Sequence, residues 1–68
     1  MNRARLYVRV VEADDGGWEC HRGMEIVGVH DSVDDALIAA GALAASVAPS
    51  AVFVHRQDGT VDRVADFD

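Results

Sequence analysis

The sequence predicts a small α+β domain of two layers, an antiparallel sheet with one helix on one face, in the order β-β-β-α-β-β. Three observations lead there. Leu6, Val8 and Val10 alternate with Tyr7, Arg9 and Val11, the two-residue period of a strand with one buried face. Val33, Ala36, Leu37, Ala40, Leu43, Ala44 and Val47 recur at three- and four-residue steps, a continuous helical stripe. Asp58-Gly59 stands between two apolar runs, where the pair supplies the positive φ angles of a type I′ hairpin turn. With 68 residues there is room for one core, so residues 1–68 read as a single domain.

The remaining elements follow in order. Ala13-Asp14-Asp15-Gly16-Gly17 has the acids and glycines of a tight reversal, and Trp18 and Cys20 then share a face opposite Glu19 and His21. Trp18 is expected to be the main anchor of the core. After Arg22-Gly23, the span from Met24 to His30 reads as a third strand, apolar on both faces, with Ile26 on one and Val27 and Val29 on the other. Ser32 caps the helix with Asp35 three residues on, and Asp31, Asp34 and Asp35 place negative charge against the positive end of the helix dipole. Pro49 ends the helix. Ala51 to His55 is a fourth strand, Val61 to Val64 a short fifth, and Ala65 to Asp68 an acidic tail.

Composition narrows function. Half the residues are hydrophobic, enough for a folded chain despite a net charge of −6. Cys20 is the only cysteine, so no internal disulfide forms, which favours a reducing compartment. The start, Met1-Asn2-Arg3-Ala4-Arg5, has no signal-peptide pattern, and no apolar run is long enough to span a bilayer. A cytoplasmic protein without membrane contact is expected. Twelve acids face six arginines and no lysine, a balance that repels polyanions at long range.

"DDGGW", "HDSVDDAL" and "VFVHRQDGTV" together resemble an uncharacterised prokaryotic family, the domain of unknown function numbered 2188. Its members typically show a Gly-Gly-Trp turn, a helix beginning Thr-Lys-x-Glu-Ala and a Val-His-x-x-Asp-Gly hairpin. Gly16, Gly17, Trp18, Ala36, Val54, His55, Asp58 and Gly59 fall on that pattern over nearly the whole chain. The helix departs from it, beginning Ser32-Val33-Asp34-Asp35-Ala36. The resemblance implies the fold and brings no activity. A weaker similarity is to HicB-type antitoxins, through the Gly-Gly-aromatic hairpin and the acid-capped helix, although their usual Pro-Gly-Cys segment is missing here.

No catalytic constellation emerges. Cys20, His21, His30 and His55 are the only soft or imidazole ligands and lack zinc-site spacing, so no metal and no other cofactor is expected. Nothing in the spacing sets a histidine beside Cys20, and a buried small hydrophobe describes that cysteine better than a nucleophile. Asp34 and Asp35 diverge by about 100° around the helix, so capping accounts for them rather than paired catalysis. Two surfaces remain. Ile38, Gly41, Ala42 and Ala45 form a second helical stripe, uncharged and opposite the core stripe, suited to contact with another chain. Arg3, Arg5 and Arg9 share the outer face of the first strand around Tyr7, a pattern that fits single-stranded nucleic acid. Glu19 and Glu25 are expected to pair with these arginines. The expected function is a non-catalytic module that binds itself, as a homodimer, or another protein. Nucleic-acid or antitoxin-like binding is the alternative.

Overall fold

The computed structural model describes residues 4–68. Its elements are β1 (Leu6–Glu12), β2 (Trp18–Arg22), β3 (Glu25–His30), α1 (Val33–Ser46), β4 (Ser50–His55) and β5 (Val61–Phe67), in the expected order. The strands form one sheet, β3-β2-β1-β4-β5, with α1 packed on one face. The pairs β1–β2, β2–β3 and β4–β5 are antiparallel, but β1 and β4 run parallel, so the sheet is mixed rather than wholly antiparallel. The cause is the single helix. Two hairpins carry the chain to the outer strand β3, and α1 brings it back across the sheet to the end where β1 begins. β4 therefore enters beside β1 in the same direction, which sets the apolar run Ala51–Val54 against Val8 and Val10.

The core lies between that central pair and the helix. Val8, Val10, Cys20, Val52 and Val54 from the sheet meet Ala36, Ala40 and Ala44 from α1, and none is more than 2% exposed. Alanines four residues apart give the helix a flat, shallow face that seats close to the valines. Val33, Leu37, Leu43, Ala65 and Phe67 pack around the rim. Trp18 belongs to this rim rather than the centre. It starts β2 opposite Glu12 and His30, at the sheet's end, and is half-buried.

Ser50 is the one buried polar side chain among the described residues, and its hydroxyl donates to the Ala44 carbonyl at 2.6 Å. The bond ties the last turn of α1, where the Ala44 carbonyl also accepts from the Val47 amide at 3.2 Å, to the start of β4. At the other end of the helix, Ser32 Oγ accepts from the Asp35 amide at 3.1 Å, as expected.

The β1–β2 and β4–β5 turns share one design. In Ala13–Gly17 the Gly16 amide donates to the Ala13 carbonyl, and Asp15 accepts from the Gly17 amide. In Arg56–Thr60 the Gly59 amide donates to the Arg56 carbonyl, and Asp58 accepts from the Thr60 amide and hydroxyl. Those two bonds hold the Asp58 carboxyl below its ordinary range. Only the glycines are left-handed, Gly16 at φ 88° and Gly59 at φ 91°. Asp58 keeps a negative φ, so the turn is not the expected type I′, which needs positive φ at two positions. Because β1 and β4 are parallel, the two turns lie at one end of the sheet, joined by Gln57 Nε2 donating to Asp14.

The edges differ from expectation in two ways. β5 runs through the presumed tail to Phe67, because Ala65 and Phe67 find the core rim beside Val52 and Ser50. In β3 a register shift opposite Cys20 and His21 inserts Val27 as an extra residue, so Ile26 and Val29 both lie on the face of His21 and Glu19. Topology also sorts charge. Asp14, Asp15, Asp31, Asp34, Asp35 and Asp58 all sit at turns or the helix start at one end of the sheet, so the net negative charge is concentrated there.

Two substitutions test this packing. Ser50→Ala should cost about 1 kcal/mol in urea unfolding, the usual worth of a buried hydrogen bond. An unchanged midpoint would show that the bond adds nothing. An added Cβ at Gly41 would meet nothing within 4 Å, so Gly41→Ala should raise stability by about 0.5–1 kcal/mol through helix propensity alone. A loss would mean that the helix backbone is more constrained there than its surroundings indicate.

Candidate functional site

The face of the sheet opposite α1 carries the residues with chemical character. β1 contributes Tyr7, Arg9 and Val11, β2 contributes Glu19 and His21, β4 contributes Phe53 and His55, and β5 contributes Val61 and Arg63, in register with one another. Alternation puts them there: their sequence neighbours Val8, Val10, Cys20, Val52 and Val54 are the core.

Arg9 sits in the middle. Its Nη2 approaches His21 Nδ1 at 3.4 Å and donates to the Gly23 carbonyl at 3.3 Å, while His21 Nε2 lies 2.9 Å from Glu19 Oε1. One histidine tautomer satisfies both contacts, with Nδ1 accepting from Arg9 and Nε2–H donating to Glu19. Arg5, Arg22, Arg56 and Arg63 each have a carboxylate partner, whereas among the described residues no carboxylate lies within ion-pair range of Arg9. Beside it Tyr7 and Phe53 meet edge to face, centroids 5.2 Å apart, and the Arg63 guanidinium lies 5.6 Å from the centre of the Phe53 ring while pairing with Asp66. Tyr7 remains 53% exposed.

The arginine face is thus only partly assembled. Arg3 lies outside the described residues. Arg5 is turned to structural use: it donates to the carbonyls of Ser50 and Phe67 and pairs with Asp66 and Asp68, which pins the end of β5. Arg9 and Tyr7 stay on the surface together. The expected partnerships are replaced, since Glu19 binds His21 and Glu25 pairs with Arg22. Phe53, with Tyr7 and Val11 the sequence's further candidate on an uncovered sheet face, lies here, and His21, His55 and Arg63 join it without any sequence signal that groups them. The alternation of 53 and 55 with the buried 52 and 54 was visible, but the neighbour of β1 was not.

The helix stripe stands on the opposite side of the molecule. Ile38 is 73% exposed, Ala42 and Ala45 are exposed, and Gly41 is half-buried beside open space. Among the described residues nothing packs against this surface at Ile38 or Gly41.

Cys20 faces the helix while His21 faces away, and burial pushes the Cys20 thiol up. A shallow depression of about 200 Å³ lies between the first turn and the end of β3, lined by Asp15, Gly16, Gly17, Val29, His30 and Asp31. Among the described residues no group of three His, Cys, Asp or Glu side chains is arranged to hold a metal. Nor is any described helix long and apolar enough to cross a membrane.

His55 is held below its ordinary value of 6.5, first by desolvation, then by the charges of Arg9 and His21. The unfolded chain therefore takes up this proton before the folded one does. Stability from keeping His55 neutral is complete above about pH 6.5 and is lost as pH falls below it. Asp58 and Asp66, both held below the usual carboxylate value of 3.8, act in a separate and more acidic window. The melting temperature should therefore fall between neutral pH and about pH 5, and less steeply in His55→Gln. Identical slopes would remove His55 from the account.

No curated protein and no solved structure matches the chain. Residues 8–64 match the family described as an uncharacterized protein conserved in bacteria (DUF2188). The matched span runs from within β1 into β5 and so includes all three hairpin turns, the helix and the whole of β2, β3 and β4. The chain is a member of this bacterial family of small α+β domains of unknown function.

Proposed function

We propose that this chain is a non-catalytic protein-interaction module whose bare sheet face receives a protein partner. One observation carries the reading: a five-stranded sheet with a single helix leaves one broad face uncovered, with Arg9 at its centre lacking a carboxylate partner among the described residues and the Tyr7–Phe53 pair beside it. Aromatic and arginine side chains of this kind are the groups that anchor protein interfaces. A partner offering one carboxylate within an apolar surface would satisfy Arg9 and cover the aromatic pair. A polyphosphate would meet the same arginine, but against the long-range repulsion of an acidic chain.

The helix stripe of Ile38, Gly41, Ala42 and Ala45 is the second contact surface on this reading, suited by its uncharged, small side chains to another protein.

Photo-crosslinking in the native cell tests the proposal. A photoactivatable aromatic at position 7 should capture a defined polypeptide, and Arg9→Glu should abolish that adduct while the circular dichroism stays unchanged. Capture only from position 38 would move the interface to the helix stripe, and no protein adduct from either position would end the proposal.

The nucleic-acid alternative rests on Arg9 and Tyr7 being neighbours on one exposed face. At low salt, where electrostatic binding is strongest, we expect no shift of single- or double-stranded probes at micromolar protein. A shift abolished by Arg9→Ala would put that reading in first place.

A further inference from the structure

β3 is an outermost strand, with no strand beyond it among the described residues. Its main-chain groups on that side are unpaired by the sheet, and its side chains are unusually apolar for an edge. Ile26 is 54% exposed, Val27 46% and Val29 71%, with Met24 in the preceding turn at 95%. Glu25 is its one carboxylate. Protected edges carry charge, proline or lysine. β5, the other edge, follows that rule: Asp62, Arg63 and Asp66 line it and form ion pairs with Arg56 and with each other.

The ends of β3 are complementary to each other. The extra residue Val27 brings Glu25 and His30, five positions apart, onto the same face, opposite Arg22 and Trp18 of β2. It likewise puts Ile26 and Val29 together on the other face, opposite His21 and Glu19. An antiparallel copy of the strand would therefore set Glu25 of one chain beside His30 of the other, and Ile26 beside Val29, at both ends of the pair. The charge distribution favours the same arrangement. Asp31, Asp34 and Asp35 follow the end of β3, whereas its start carries the Arg22–Glu25 ion pair and so no net charge. Antiparallel pairing places the acidic end of each copy toward that neutral end of the other, and keeps the two acidic ends apart.

We propose that two copies of this chain join β3 to β3 across a two-fold axis, extending the sheet from one molecule into the next. The same edge serves on both sides, so the contact closes at two, and the charged β5 edges do not propagate it. This rests on reading the chain as a protein-binding module, but it leaves both the bare sheet face and the helix stripe open to other partners.

Light scattering at millimolar concentration should give twice the mass of one chain. Val29→Lys adds charge at a side chain already exposed, so it should yield single-chain mass with an unchanged circular dichroism spectrum. Register is read separately. A mixture of Ile26→Cys and Val29→Cys variants under mild oxidation should form the mixed disulfide in preference to either variant alone, with buried Cys20 not competing. A single-chain mass for the unmodified protein overturns the proposal, and so does a dimer that survives Val29→Lys or a disulfide without the mixed preference. A single-chain protein whose position 7 still captures a polypeptide would reject this edge while leaving the interaction module standing.

Discussion

Everything in this molecule depends on one helix having to cover five strands. An α-helix is about 10 Å across, while four strand spacings of about 4.8 Å make a sheet roughly 19 Å wide. The helix can therefore cover the middle of one face and nothing more. The buried residues obey that limit. They come mainly from β1 and β4, with Cys20 from β2 and none from β3 or β5, and the helix meets them with Ala36, Ala40 and Ala44. What lies beyond the helix's reach stays nearer the surface: the outer strands and the opposite face, where Ala51 is the one buried side chain among the described residues.

The narrow core also explains the sheet's mixed pairing. A purely sequential meander would have left the apolar run of β4 beside β3, at the margin of what the helix covers. Returning through α1 to pair in parallel with β1 puts the valines of both strands under the alanine face. That crossover has further consequences. It aligns the β1–β2 and β4–β5 turns at one end, where Gln57 of one binds Asp14 of the other. It also gathers the aspartates of turns and helix cap at that end, leaving the middle of the bare face to Arg9, His21, His55 and the aromatic pair. An acidic protein thereby presents a surface centre that is not acidic.

Local elements were the legible part of this chain. The alternation in Leu6–Val11, the three-four repeat after Val33, the Ser32 cap and the aspartate-glycine turns each act within a few residues, so they show in the sequence. Even there, the turn at Asp58 took a geometry with one left-handed residue instead of two. Half-legible features depend on a neighbour. Arg5 reads as a surface cation, but the end of β5 comes to rest beside it and takes its hydrogen bonds.

The sequence by itself determined the elements, their order, the stripe of α1 that packs, and the absence of a recognisable catalytic pattern, because hydrophobic periodicity and capping are short-range properties. The tertiary structure alone decided which strands became neighbours, which face the helix covered, and where the register slipped at Val27. Those outcomes turn on which apolar strands compete for one small helical face, and on pairings between residues more than forty positions apart, such as Val8 with Val52. No local pattern encodes that competition. The candidate surface around Arg9, Phe53 and Arg63 exists only once it is resolved.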